Sequence, residues 1–577
     1  MKTYNYIVGI SGEGNGFHDN SVVLLKGGKV VFASSEERYT RIKHDPSFPK
    51  NTLKDALDIA GIKKSDVSYF ASGWPKLSAT KLALQFLNKN SLQSGLNFIK
   101  NANLSGFAAL VKLLIEINIK KVETSLPLEK RIVYDHYLAH AASAYYTSGF
   151  DKCLTVIWDG FGTRSDGTLA SGAVFECKNG EIKEVGVHPI NASIGLFYEA
   201  VTNALGFTPA EGEGKTMGLA VYGNPNRFLN KIKKLAPHFN GTKWIASEFW
   251  PDQLPAVDLK YKKVFEATEF FNQIAKLIRI SNQDVAAACQ KIIEDESVKY
   301  FKYLFKKYGY SDYALAGGVF LNVKMGKRIK ELSTTTGLFV HPHAGDGGLA
   351  LGAALLAYKE KVGKVPVFKM DDAYWGRAFK DAEILLELKK TKGIIFEKPT
   401  NLAQQVAKKI EKGIVVGWFE GREEWGPRAL GSRSVLADPR REEIKERINN
   451  YLKKREWFMP FAASIMEEKA GKLFKSIDAS PFMTMAYDAT PYGKKNLVAG
   501  IHVDGTGRPQ TVNKKVNPLY WQVIYEFEKL TGVPGILNTS FNRHGLPIVH
   551  SPKDAIDHLL WGAIDELVIG SYIVKRK

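Results

Sequence analysis

Two histidines four residues apart, His136 and His140 in H-Y-L-A-H, place both imidazoles on one face of a helix, within reach of a single metal ion. One packed and one capping or solvated histidine would give the same spacing, so the nearby carboxylates decide its meaning. Asp159 ends the apolar run L-T-V-I-W and precedes Gly160, which sets a carboxylate at the carboxyl end of a strand, where α/β sheets build their sites. Asp346 sits in the glycine-rich turn H-A-G-D-G-G. Taken singly, either aspartate reads as a cap or an Asx turn. Taken together, two imidazoles and two carboxylates make a mixed N/O ligand set suited to iron(II), manganese or zinc, with coordination positions left for phosphate oxygens.

These groups need a framework. Residues Tyr4–Ile10, Ser21–Lys26 and Lys29–Ser34 read as strands, the last two closed by Gly27-Gly28 as a hairpin. The loop S-G-E-G-N-G-F-H-D between the first two brings backbone N–H groups toward a phosphate. Lys76 to Lys121 reads as an amphipathic helical insert. A second alternating unit follows: a helix over Asp135–Thr147, strands Leu154–Trp158 and Gly172–Cys177, and a long helical region over Phe265–Lys307. A-L-A-G-G-V (314–319) and L-F-V-H-P (338–342) read as strands ending in glycine-rich turns, and Gly345–Tyr358 as a closing helix. The pattern predicts an α/β domain over 1–361, a linker at V-G-K-V-P-V-F (362–368) and a second α/β domain over 369–577. Strand-turn-strand units occur at both the beginning and the middle of the first domain, too dissimilar in residues to count as a repeat.

A chain of 577 residues, 45% hydrophobic and 24% charged, is globular and too long for one core. Its net charge of +20 favours nucleic acid, acidic membrane or phosphorylated small molecules without choosing among them. Cys153, Cys177 and Cys289 form no C-x-x-C pair, which excludes a disulfide framework and a thiolate zinc site. The amino terminus lacks a secretory pattern, and the greasy stretch Ala108–Ile119 is interrupted by Lys112 and Glu116. A soluble cytoplasmic protein without a membrane span is expected, its oligomeric state left open.

The ordered motifs carry more. H-D-N-S (18–21), E-E-R-Y-T-R-I-K-H-D (36–45), H-Y-L-A-H, D-G-F-G (159–162), E-G-K-T-M-G-L-A (213–220), A-G-G-V-F-L-N (316–322) and H-A-G-D-G-G fill the first half. G-P-R-A-L-G-S-R-S (426–434), H-V-D-G-T-G-R-P-Q (502–510) and N-T-S-F-N (538–542) fill the second. Over nearly its whole length the chain resembles the NodU/CmcH carbamoyltransferase family. The resemblance implies an α/β protein with an actin-like ATPase (ASKHA) N-terminal domain, similar to the tRNA threonylcarbamoyl-transfer domain, followed by a YrdC-like C-terminal domain. It implies that the second domain makes carbamoyl adenylate from carbamoyl phosphate and ATP, with Mg(2+) accompanying ATP. The first would pass the carbamoyl group to a hydroxyl of a small-molecule acceptor, a natural product or saccharide, and release AMP.

Residue by residue, the resemblance puts the metal ligands on His136, His140, Asp159 and Asp346, with Fe(2+) the expected ion, and the catalytic positions on His18 and Lys43. Donor and ATP binding fall on Arg428, Arg433, Lys453, Arg508, Asn538 and Ser540, and nucleotide binding in the N-terminal domain on Gly317, Gly318 and Asn322. The chemistry suits these residue types. Bringing two polyphosphorylated reactants together concentrates negative charge, which fixed guanidinium groups offset while gripping phosphate through two bonds. His18, beside Asp19, has the ordinary pKa of a general base near neutrality, or serves as a hydrogen-bond donor to phosphate. For Arg433 and Arg455 a solvated surface charge is an equal alternative, and for Gly317 and Gly318 a plain strand-to-helix turn.

One position departs from the family pattern: Met459 stands where a second arginine is expected after Lys453, Arg455 and Glu456 and before Pro460-Phe461. Competing readings are a tRNA threonylcarbamoylation-type enzyme, which nucleic-acid contacts would support but no aromatic-rich basic stripe suggests, an actin-like sugar kinase, and a nucleotide-dependent scaffold. The insert over 76–121 is the segment expected to shape the acceptor pocket. Losing one charge-assisted phosphate contact costs about 1.5–3 kcal/mol. Met459→Arg should therefore tighten apparent carbamoyl phosphate affinity, and unchanged affinity would show that the methionine is no functional difference.

Overall fold

The computed structural model of the chain describes residues 5–12, 19–75, 126–250, 265–365 and 367–577. His18 and the insert over 76–121 lie outside them. Strands β1 (Tyr6–Ile10), β2 (Ser21–Lys26), β3 (Lys29–Ser35), β4 (Tyr69–Ser72) and β5 (Arg131–Val133) form a sheet ordered β3-β2-β1-β4-β5. After β6 (Lys152–Thr163), β7 (Leu169–Lys178), β8 (Glu181–Pro189) and the short pair β9 (His238–Phe239) and β10 (Trp244–Ile245) come β11 (Asp312–Ala316) and β12 (Gly337–Val340). The second sheet runs β8-β7-β6-β11-β12. In each sheet the first-formed strand pairs antiparallel with the next and parallel with the fourth, which is followed by a fifth parallel strand. The two halves thus share a topology although their residues show no countable repeat. Burial explains why: strand cores tolerate any apolar residue of suitable volume.

The chain divides into two compact units. The first comprises Met1–Lys29, Pro46–Pro49 and Lys64–Lys369, the second Val30–Asp45, Lys50–Lys63 and Met370–Lys577. A single division into 1–361 and 369–577 therefore misassigns two segments of the amino-terminal region. Arg38 and Asp55 pair with Glu423 and Arg377, partners 385 and 322 positions away, and such contacts leave no local signal in the sequence.

In the first unit the helix Leu349–Val362 is buried along most of its length. Two glycines let it close on its neighbours. A Cβ on Gly9 of β1 would stand 1.8 Å from the Ala350 carbonyl oxygen, and one on Gly352 would stand 1.7 Å from that of Ala139. The region Phe265–Lys307, expected as one helical stretch, is two helices, Glu269–Ile278 and Asn282–Tyr308, because Ser281 caps the second by accepting from the Asp284 N–H. Among the described residues no helix is long and apolar enough to cross a membrane.

The second unit is built on an eight-stranded mixed sheet. Its strands are β13 (Ile394–Glu397), β14 (Val416–Phe419), β15 (Arg433–Ala437), β16 (Ala462–Met466), β19 (Gln510–Val512), β20 (Gly535–Ser540), β21 (Glu566–Ile569) and β22 (Tyr572–Arg576), with β17 (Tyr487–Asp488) and β18 (Thr506–Gly507) paired separately. The order is β13-β22-β21-β14-β15-β20-β16-β19, with β14 parallel to β21 and β16 parallel to β19. Gly352→Ala should push the helix Leu349–Val362 away from the helix His136–Ser148 and destabilise the first unit by about 3 kcal/mol or more, read as a lowered thermal transition; an unshifted transition would refute this packing.

Candidate metal centre and anion pocket

The helix His136–Ser148 begins at Asp135, whose Oδ1 accepts from the Tyr137 and Leu138 N–H groups while Oδ2 accepts from that of Ser165. His136 and His140, both fully buried, project from one face of this helix toward Asp159 and Asp346. His140 Nε2 lies 3.3 Å from Asp159 Oδ2 and 3.5 Å from Asp346 Oδ1, and His136 Nε2 lies 3.8 Å from each. One ligand atom from each of the four residues falls within 4.8 Å of the others. An ion that holds nitrogen and oxygen at ~2.0–2.2 Å in tetrahedral array separates its donors by ~3.3–3.6 Å, so the spacing fits.

The polar accounting points the same way. Among the described residues, both ring nitrogens of both histidines and Asp159 Oδ2 are buried without a hydrogen-bond partner, a costly state unless an ion completes it. Burial by itself would lower the His140 pKa, but Asp159 and Asp346 outweigh it and carry the imidazole up to about 9. Burial would likewise raise Asp159, yet the two imidazoles hold it far below the usual carboxylate range. A bound cation would take the place of those protons.

Local structure explains the glycines around this centre. Asp159 does not end its strand: β6 continues to Thr163, and its register with β7 shifts between Trp158 and Gly162. Such a bulge turns a side chain out of the ladder and toward a site. A Cβ on Gly162 would meet the His136 ring at 2.3 Å. Gly317, at φ +94°, brings its own backbone so close to β6 that a Cβ would lie 2.1 Å from the Trp158 carbonyl oxygen, and a Cβ on Gly318 would lie 3.3 Å from Asp159 Oδ1. Protein contacts therefore already require Gly317, as the plain-turn alternative held. Asn322 is committed as well: its Oδ1 caps the next helix through the Met325 N–H at 3.1 Å, and its Nδ2 donates to Gln290 Oε1 at 2.9 Å.

In the second unit the carboxyl end of β20 receives a cluster of cations. Lys453 closes the π-helical turn Ile448–Lys453, a form that is rare outside functional sites. Its Nζ is buried and donates to Ser540 Oγ and Asn542 Oδ1, each at 2.8 Å. Burial, then Arg455 and Lys43, pull the Lys453 pKa well below its ordinary value. Burial, then Arg428 and Arg455, do the same to Arg508. Arg428 and Arg455 are each lowered to about 10, chiefly by burial. Lys43, Arg428, Lys453, Arg455 and Arg508 thus share one field. Asn538, buried beneath, donates through Nδ2 to Ala429 O (3.1 Å) and Ser464 Oγ (2.8 Å), while its Oδ1 is buried and unbonded among the described residues. Lys453 is buried and Lys43, Arg428, Arg455 and Arg508 are partly buried, and like charges gathered in this way suit a multiply charged anion.

Arg433 is a correction. Its side chain is fully buried, and its guanidinium donates to the carbonyl oxygens of Arg377, Glu420, Gly421 and Ser432 while stacking over Phe419 at 3.7 Å. Its Nη1 and Nη2 groups are occupied by backbone, which favours a structural role over the expected donor contact. Glu424, in contrast, escaped notice in the sequence. Its Oε1 accepts from the N–H groups of Leu430, Ser432 and Arg433, fixing the loop that carries Arg428; the acidic pair directly before W-G-P-R is the signal that could have found it. Relieving like-charge repulsion, Arg508→Gln should raise the melting temperature of the ligand-free protein by roughly 2 °C or more. It should also abolish most of the rise that millimolar pyrophosphate gives the wild type. A lowered melting temperature with the pyrophosphate effect intact would disprove the anion pocket.

Residues 6–355 match the description "Carbamoyltransferase N-terminus" and residues 407–576 match "Carbamoyltransferase C-terminus". The chain is 34% identical to nodulation protein NolNO of Sinorhizobium fredii over 97% of its own length and 79% of that protein. It is 36% identical to nodulation protein NolO of Bradyrhizobium diazoefficiens, covering 77% of this chain and 79% of that one. Among solved structures it is similar to component A of (R)-2-hydroxyglutaryl-CoA dehydratase from Acidaminococcus fermentans, at 15% identity and a TM-score of 0.33 over 62% of this chain and 99% of the other. With both halves of the family pattern matched in order and a relative above 30% identity along almost the entire chain, this protein belongs to the carbamoyltransferase family and is a transferase enzyme.

Proposed function

We propose that the protein is an ATP-dependent O-carbamoyltransferase whose two units divide the reaction. The observation that carries this reading is the pairing of a largely buried N/O ligand quartet in the first unit with a cluster of five cations, Lys453 buried among them, in the second. In the second unit, a YrdC-like domain on this proposal, carbamoyl phosphate, ATP and water become carbamoyl adenylate, phosphate and pyrophosphate. Lys453, Arg428, Arg508 and Lys43 hold the anionic oxygens, and the Asn538 and Ser540 side chains orient the donor. Arg455 adds charge to the pocket.

In the first unit, an actin-like domain whose duplicated strand order supports that assignment, the carbamoyl carbon is attacked by an acceptor hydroxyl, forming the carbamate ester and releasing AMP. His136, His140, Asp159 and Asp346 would hold the divalent ion, Fe(2+) being the expected species with Mn and Zn as alternatives. A bound ion there supplies charge stabilisation to the departing phosphate. Gly317, Gly318 and Asn322 shape the adjoining nucleotide cleft, and His18 accepts the acceptor's proton or positions the phosphate. The acceptor is a small hydroxylated molecule, and the reaction takes place in the cytoplasm.

The division of labour is testable. His136→Ala/His140→Ala should lose bound metal and carbamoyl transfer yet keep carbamoyl phosphate-dependent exchange of pyrophosphate into ATP. Lys453→Ala should lose the exchange and keep the metal. Full metal content in the double histidine variant would overturn the quartet, and ADP instead of AMP as the nucleotide product would overturn the adenylate route.

A further inference from the structure

The segment E-E-R-Y-T-R-I-K (36–43) precedes most of the first unit in sequence but belongs to the second unit in space. Its anchoring is unusually rich in charge. Arg38, almost fully buried, donates from Nη1 to Glu423 Oε1 at 2.8 Å and from Nη2 to the Gly426 carbonyl oxygen at 3.0 Å. The other Glu423 oxygen meets His550 Nδ1 at 2.8 Å, and Tyr39 packs on the His550 ring with centroids 4.1 Å apart. Arg41 donates to the carbonyl oxygens of Ile548 and Pro547 at 2.7 and 2.8 Å. Two residues further on, Lys43 acts on Lys453 in the cation pocket.

Gly426 is the point at which this network touches the anion pocket. It stands two residues before Arg428 at φ +123°, and the loop's other end is fixed by the Glu424 carboxylate. We propose that Arg38 is a positioning residue for the donor reaction: its planar fork ties Glu423 to the Gly426 carbonyl and so sets where Arg428 presents its guanidinium. Glu423, held down to about 2 by His550 and Arg38 against the effect of burial, remains an anion throughout the working pH range. A single lysine nitrogen in place of the guanidinium keeps the charge opposite Glu423 but cannot reproduce the fixed two-direction fork. The inference rests on the proposed donor site and adds to it a determinant contributed by the amino-terminal segment.

Arg38→Lys in the full-length protein is the informative variant, because Arg38→Ala would strand a buried carboxylate and threaten folding. Steady-state kinetics of carbamoyl phosphate-dependent AMP formation should show KM for carbamoyl phosphate raised about tenfold or more, as expected for one misplaced charge-assisted contact. The kcat should stay within about twofold, and calorimetry should show the same weakening of carbamoyl phosphate binding. Arg440→Lys, which alters another arginine–carboxylate fork of the same unit, at Asp438, should leave KM unchanged. A folded Arg38→Lys protein with wild-type KM and wild-type binding would overturn the positioning role alone. Wild-type protein that binds no carbamoyl phosphate would overturn the donor-site reading beneath it.

Discussion

Four potential ligand atoms within 4.8 Å of one another, largely buried and, among the described residues, with neither imidazole hydrogen-bonded, are the constraint around which the first unit is arranged. Charge and hydrogen-bonding capacity of that kind are expensive to bury and are retained only where something returns the lost hydration. The surrounding elements serve this end. The Asp135 cap fixes where the histidine helix starts, the break in register along β6 swings Asp159 out of its ladder, and the glycines at 162, 317 and 352 let backbone and rings approach where any side chain would collide. Trp158, one residue before Asp159, is clamped in turn: its ring stacks on Phe320 and its indole nitrogen bonds His188, whose other nitrogen meets Tyr300. The aromatic cluster gives the carboxylate a rigid base.

The second unit applies the same physics with the opposite sign. Burial lowers the pKa values of Lys453, Arg428, Arg455 and Arg508, and neighbouring cations add to the effect at Lys453 and Arg508. Crowding like charges in this way costs stability, which an anion placed among them would return. Carboxylates outside the cluster brace its loops: Glu423 accepts from Arg38, and Glu424 accepts from the Leu430 N–H just beyond Arg428. Negative charge is placed to hold the loops, leaving the positive charge available to a ligand.

Much of the candidate site was legible in the residues. The i, i+4 histidines, the aspartate after an apolar run and the aspartate within H-A-G-D-G-G pointed to four side chains that the fold does gather, because period and residue type are local properties, and the order of motifs announced the family. The edges of β2 were equally readable, since hairpin glycines act over a few residues, whereas the closing helix expected over Gly345–Tyr358 runs Leu349–Val362, after a tight turn at Asp346–Gly348. Space added what spacing along the chain could not show. Arg433 matched a motif, yet its terminal guanidinium nitrogens bond four backbone carbonyl oxygens; Asn322 also caps a helix through its amide oxygen; Asp159, expected at a strand end, lies within a bulge. A residue type states what a side chain can bond, and only its neighbours in space decide what it does bond.

The sequence by itself determined the chemistry available to this protein: the ligand types, the cation-rich second half and the strand-and-helix alphabet, all of which follow from spacing along the chain. Tertiary structure decided the allocation. It gave residues 30–45 and 50–63 to the second unit, joined Arg38 to Glu423 across 385 positions, and revealed one strand order used twice in two unrelated-looking stretches. Those outcomes depend on long-range burial and ion pairing, which are properties of surfaces meeting and carry no period that a linear reading could detect.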